Sequence, residues 1–234
     1  MSASATTAAG ASRAGFELVD SDAGWLVARF AAPQRVCSWA VANGGITTAP
    51  AVAWMQVRDA ELAPPVDPVA LLYQRLDERD LGQAVGLITG VDVSTYRDHR
   101  ATRDTVVARC VATVGLGNAL RVGDPTRPSD TAPRVGTINA LCWTSTPLDD
   151  AGLLEAASIA AAARTMAVAE AGIRSPITGA PATGTGTDCL VIACPVGGDS
   201  PTYAGMHTAT GSAIGAAVQA AVAAGVDRWL NDNP

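Results

Sequence analysis

In the mainly apolar stretch "GWLVARFAAPQRVCSWA", residues 24–40, Trp25, Val27 and Arg29 alternate with Leu26, Ala28 and Phe30. A period of two predicts a strand. Pro33 interrupts the pattern, so "RVCSWAV" reads as a second strand, and "ANGGI" at 42–46 carries an Asn-Gly turn signal. After the linker "ELAPPVDP", the segment "PVALLYQRLDERDL" sets Leu71, Leu72 and Leu76 on one side of a short amphipathic helix. "AVGLITGVDV" at 84–93 and "TVVARCVATVGLG" at 105–117 return to strand. The second is apolar and β-branched throughout, as a central strand is. "GNALRVGDPTRPSDTAPRVG" at 117–136 is a long polar loop of the kind that often carries function, and "TINALCWTSTP" at 137–147 is a further strand.

Two helices follow. Thr146 is placed to cap the first, with Pro147 at its first position and Asp149 in its first turn. That helix runs through "LLEAASIAAAARTMAVAEA" and stops at Gly172. Its alanines suit close packing on a sheet. The strand "CLVIAC" comes next, and the last helix covers about 208–230, with Ile214, Val218, Val222 and Val226 as its core stripe. Gly211 and Gly215 leave a groove on that helix where another backbone can approach. Several consecutive strands followed by β–α–β–α predict an α+β fold. It is a single domain over 16–234, with a mostly antiparallel or mixed sheet and helices on one face.

Composition narrows the function. The 234 residues suffice to bury a core without disulfides or a metal. A net charge of -6 argues against nucleic acid, which needs a basic face. All sixteen basic residues are arginine, which excludes a Schiff-base or P-loop lysine. Cys37, Cys110, Cys142, Cys189 and Cys194 are odd in number and form no C-x-x-C pair. With only His99 and His207 beside them, they predict reduced thiols in a cytoplasmic protein and no metal site. Cys189 and Cys194, five apart in a strand, point to opposite faces. Residues 1–15 are small and polar and read as a disordered tail without a secretory signal. No uninterrupted apolar run reaches eighteen residues, so no membrane span is expected.

The candidate chemistry gathers in "GAPATGTGTDCLVIACP", residues 179–195. A phosphate cradle places its Gly-rich turn between a strand and a helix, so that the helix N-terminus meets the phosphate. Here the Gly-rich segment leads into a strand, and Cys189 stands where G-x-G-x-x-G needs its third glycine. A glycine-permitted turn with threonines closing local hydrogen bonds explains much of it. A second polar cluster, "YAGMHTATG" at 203–211, sets His207 just before a helix. The two clusters lie at opposite ends of one strand, about 20 Å apart. The connection at 195–202 therefore has to fold back for them to meet. His99, in "YRDHR", reads as part of a solvated face.

"RVCSWAVANGG", "AVGLITGVDVSTYR", "GNALRVGDP", "GTINALCW", "AGIRSPITGAPATGTGTDCLVIACP" and "YAGMHTATGSAIGAAV" together resemble the adenosylcobinamide amidohydrolase family of corrinoid salvage. The resemblance spans roughly residues 24–229 and is densest in the C-terminal hundred. It implies hydrolysis of the amide that joins the aminopropanol arm to a corrin propionate, giving adenosylcobyric acid, in salvage or in remodelling of complete corrinoids. It implies no protein cofactor, since cobalt belongs to the corrinoid substrate. The family pattern often has two serines where this chain has Ser38 and Trp39. The competing reading is a corrinoid-binding module without catalysis, although no D-x-H-x-x-G ligand motif is present.

Amide hydrolysis needs a nucleophile, an oxyanion donor and an acid for the leaving amine. From the residue types, His207 is the expected general base and acid, with Asp188 orienting it. Water or the hydroxyl of Thr185, Thr187 or Ser38 is the expected nucleophile. Cys37 is weighed as a thiol, and self-cleavage before a threonine of 183–187 as an N-terminal-nucleophile scheme. Asn43 with the Gly44 and Gly45 amides, and Asn118, are expected at the oxyanion or the substrate amide. Arg121, Asp124 and Thr183 are expected against the polar corrin periphery.

Overall fold

The computed structural model describes residues 15–21, 24–126, 136–198 and 201–233. Residues 1–14 of the expected tail at 1–15 and the middle of the polar loop, 127–135, lie outside them. Ten strands are present among the described residues: β1 (Glu17–Ser21), β2 (Trp25–Ser38), β3 (Gly45–Gln56), β4 (Val85–Thr89), β5 (Arg97–Arg103), β6 (Val106–Val114), β7 (Ala119–Leu120), β8 (Ile138–Thr144), β9 (Gly184–Thr185) and β10 (Cys189–Cys194). Three α-helices accompany them: α1 (Pro68–Asp77), α2 (Asp150–Glu170) and α3 (Ala209–Asp232).

The main sheet has eight strands in the order β4-β3-β2-β10-β8-β6-β5, with β1 on the same edge of β2 as β10. β3/β4 and β8/β10 are parallel and the other pairs antiparallel, so the sheet is mixed and the fold α+β, as the element order predicts. Pro33 does not end β2. It lies in a register shift between Arg29 and Gln34, where the missing N–H of proline costs no ladder bond. β3 and β5 gave no strand pattern in the sequence. The first half of β3 is exposed, and β5, "RDHRATR", is an edge strand whose charges discourage pairing with another chain.

The sheet is strongly curled. β4 and β8 stand four positions apart, which is about 19 Å on a flat sheet. Yet Asn139 Nδ2 of β8 donates to the Ile88 carbonyl of β4 at 2.8 Å. The concave face therefore closes on itself. Leu26, Val52, Trp54 and Leu87 from one half meet Val111, Leu141, Trp143 and Val191 from the other.

The convex face carries the helices. Leu72 and Leu76 of α1 cover β2, β3 and the Gly86 backbone. Ala156, Ala160, Ala163 and Ala167 form one stripe of α2 against Ile214, Val218 and Val222 of α3 and Leu190 and Ile192 of β10. By length and hydropathy α2 and α3 are apolar enough to cross a membrane; here they pack on each other and on the sheet. The α2 cap is Asp149, whose carboxylate accepts from Gly152 N at 2.8 Å, and not Thr146. Thr146 sits instead beside the α3 N-terminus, 3.3 Å from Thr210 Oγ1. The expected stop holds: Gly172 follows the helix with φ 74°. A backbone does approach α3 at Gly211, where a Cβ would overlap the carbonyls of Ala204 and Gly205. Gly215 meets the Ile159 side chain instead.

Candidate active site

A cleft of about 880 Å³ opens at the mouth of the curled sheet. It is at the large end of small-molecule sites. Its walls come from strand ends and their loops: Trp39 and Val41 after β2, Val57 to Pro68 after β3, Leu87 to Gly90 at β4, Thr137 and Asn139 at β8, and Gly186 to Cys189 at β10. Val41, Val57, Leu62, Pro64, Pro68 and Leu87 make it largely apolar. The Asn139–Ile88 bond that closes the curl crosses its floor.

The Gly/Thr segment forms one rim, and its geometry centres on Asp188. The Asp188 side chain is 5% exposed and ion-paired to Arg164 of α2. Its Oδ1 also accepts from Ile138 N at 2.9 Å and from Thr185 Oγ1, and its Oδ2 accepts from Thr185 N at 2.9 Å. Gly184 passes directly over this pair. A Cβ there would overlap the carboxylate and stand 2.6 Å from the guanidinium, so only glycine fits. Thr187 reaches back through its Oγ1 to the Gly136 carbonyl at 3.3 Å, and Thr137 Oγ1 donates to the Thr187 carbonyl at 2.9 Å. The turn is thus a glycine-permitted loop with threonine hydrogen bonds, and it also lines the cleft.

Asn118, Thr187 and Asp188 are the expected residues that the cleft brings together. Asn118 Oδ1 is buried there with no hydrogen-bond partner among the described residues. His207 is elsewhere. It is exposed, one residue before the α3 N-cap Thr208. The connection before it does fold back, but onto α2: Ala204 N donates to Glu155 Oε2 at 2.6 Å, and Pro201 lies against Gly152. His207 therefore stays at the far end of β10, and the Asp188 carboxylate, saturated by other donors, does not orient it. The histidine-carboxylate pair expected from residue types is not formed within the chain.

The other expected residues are spent on the fold. Ser38 is buried in β2 opposite Val191, and Thr185 is held by Asp188. Asn43, at φ 53°, donates its amide to the Gly82 and Ala84 carbonyls at 2.9 and 2.7 Å, fixing the Gly44–Gly45 turn to the loop after α1. Arg121 reaches the Pro181 carbonyl at 3.0 Å, and Thr183 Oγ1 accepts from Val122 N at 2.8 Å. Asp124 accepts from Ser175, Arg121 N and Thr178; the Ser175 hydroxyl is the main cause that lowers its pKa. These contacts tie the polar loop to 174–183 outside the cleft. The Cys37 thiol points to the helix side, where burial and then the Asp150 charge raise its pKa.

Four contributors escaped the residue-type reading. Arg164 is the lone charge in the middle of an alanine-rich helix, a signal that could have marked it. Burial lowers its pKa, and its Nε has no partner among the described residues. Trp39, 52% exposed, leans on the cleft wall with its Nε1 donating to the Asp188 carbonyl at 2.7 Å. Asp59 lines the cleft from a 3-10 turn, and no hydrogen bond or ion pair of its carboxylate occurs among the described residues. Cys189 also lines it, its thiol pushed up to about 12 by burial and thus neutral. Among the described residues, no arginine or histidine lines the cleft. No group of three His, Cys, Asp or Glu side chains among the described residues is arranged to hold a metal.

A protein-family model, adenosylcobinamide amidohydrolase, matches residues 11–234. The chain belongs to the adenosylcobinamide amidohydrolase family. A relative named adenosylcobinamide amidohydrolase, from Halobacterium salinarum, is 35% identical over 131 residues, which is 52% of this chain and 53% of that protein. The alignment thus spans about half of each. Among solved structures, the PH0078 protein from Pyrococcus horikoshii aligns over 91% of this chain and 83% of its own, at 10% identity and a TM-score of 0.43. A β-aminopeptidase from Burkholderia sp. aligns over 92% and 83%, at 13% identity and a TM-score of 0.40. Family membership rests on the family match and not on these distant shapes.

Proposed function

We propose that this chain hydrolyses the amide linking the aminopropanol arm of adenosylcobinamide to the corrin ring, giving adenosylcobyric acid, as a cytoplasmic step of corrinoid salvage or remodelling. The observation that carries the reading is the cleft: a large, apolar, open-mouthed site in a member of this family, with uncommitted polar groups in its wall. A flat macrocycle suits Trp39, Val41, Leu62 and Pro64, and its amide fringe suits Asn118. Cobalt enters as part of the substrate.

The chemistry is addition of water to the amide carbonyl, cleavage of the C–N bond and delivery of a proton to the leaving amine. On this reading Asn118 meets the substrate amide; it and Thr187 both line the cleft. Asp59, whose carboxylate has no hydrogen bond or ion pair among the described residues, is the proposed proton carrier, because Asp188 is saturated and Cys189 is buried and neutral. Purified protein incubated with adenosylcobinamide should release aminopropanol and leave adenosylcobyric acid, read by mass. Corrinoid recovered bound but intact would make the chain a binding module instead.

A further inference from the structure

We infer that Arg164 is a positioning residue. Through its ion pair with Asp188 it fixes both the Gly186–Thr187 rim and the Trp39 indole, and thereby sets turnover; the inference rests on the hydrolytic reading above. Five hydrogen bonds from four segments meet on Asp188. Arg164, Ile138 N and Thr185 (twice) reach its carboxylate, and Trp39 reaches its carbonyl. Arg164 supplies the only charge opposite that carboxylate in this set. It comes from the convex side of the sheet, behind the cleft wall, so it acts without touching the substrate.

Stability alone does not account for the arrangement. A buried ion pair recovers little over an apolar pair of the same size, since both charges lose their water. The guanidinium is held at 16% exposure with no partner for its Nε among the described residues, which adds to the cost. The chain also keeps glycine at 184 so that the pair fits beneath it. A costly polar cluster beside a cleft is the pattern of a site held in shape for use. Without the arginine, Asp188 is a buried carboxylate with no countercharge. It must protonate or turn to water, and Thr185, Thr187 and the Trp39 tether move with it.

The test compares Arg164→Met and Arg164→Lys with the parent protein, using adenosylcobinamide as substrate and thermal unfolding as a control. Displacement of reacting groups by about 1 Å costs about 100-fold. Arg164→Met should therefore lose about 100-fold in kcat, with KM rising by no more than about tenfold, the effect of a lost Trp39 tether. Arg164→Lys, which restores the charge but not the fork, should recover at least about tenfold of that loss. Trp39 emission, isolated by difference against Trp39→Phe, should change in Arg164→Met and return in Arg164→Lys. A folded Arg164→Met with parental kcat, or with unaltered Trp39 emission, overturns the inference. If Arg164→Met does not fold, Arg164→Lys decides alone: parental kcat with shifted Trp39 emission contradicts the role. A parent protein with no turnover defeats the hydrolytic reading instead, while the emission comparison still tests the positioning.

Discussion

The indole Nε1 of Trp39 donates to the Asp188 carbonyl at 2.7 Å, although Trp39 follows β2 and Asp188 precedes β10. The bond joins the apolar wall of the cleft to its polar rim. Half of the Trp39 surface stays open, so the ring is held by its polar edge with its face available to a flat ligand. Trp39→Phe keeps a ring but loses the tether, worth about 0.5–1.5 kcal/mol. Corrinoid affinity should fall up to about tenfold in a spectroscopic titration, and Trp39→Ala should cost more because it removes the wall too.

Gly184→Ala tests the close packing over the ion pair. The added methyl overlaps the Asp188 carboxylate, and over-packing of this kind costs about 1–3 kcal/mol. Chemical denaturation should show the loss. Gly179→Ala makes a useful contrast, since a Cβ there meets nothing within 4 Å and only its φ of 71° is strained.

Asn139→Leu tests the curl. The Asn139–Ile88 bond joins strands four places apart, and its loss leaves the Ile88 carbonyl without that donor. Stability should fall by about 1–3 kcal/mol. The cleft floor should loosen as well, seen as faster amide exchange along β4 and the start of β8.

Alkaline pH should weaken the fold. Burial raises the pKa of Cys189 to about 12 and also raises those of Cys37 and Cys194. Above the ordinary thiol range, near pH 8.5, the unfolded chain ionises these thiols while the folded chain keeps them protonated. The unfolded state then binds fewer protons, so stability falls with rising pH through this window and is intact below it. Urea titrations under reducing conditions at pH 7.5 and 10 should show the drop, and Cys189→Ala should make it smaller. Alkylation of Cys189 at pH 8 should likewise be slow in the folded protein, because burial keeps the thiol protonated.

Much of the fold was legible because burial imposes a period. The two halves of β2, together with β4, β6, β8, β10, α1 and α3, announce themselves by their apolar runs and spacing, and α2 by its alanines and its Gly172 stop; Cys189 and Cys194 do face opposite sides of the sheet. β3 and β5 were not legible, because an exposed half-strand and a charged edge carry no such spacing. The site was half legible. "TGTGTD" marked a loop that does line the cleft, and Asn118 and Thr187 came with it. The partner of Asp188 was not readable from residue type. A histidine attracts a carboxylate on paper, but the direction of the chain after β10 carries His207 away, while α2 turns Arg164 inward. Trp39 and Asp59 reach the cleft by the curl of the sheet, a long-range property that no local pattern encodes.

Hydrolysis in oxygen-18-labelled water tests the central claim most directly. Adenosylcobinamide turned over by the purified protein should give adenosylcobyric acid carrying one labelled oxygen in its new carboxylate, and unlabelled aminopropanol. Unchanged adenosylcobinamide, or label in the aminopropanol instead of the corrinoid acid, would contradict amide hydrolysis by this chain.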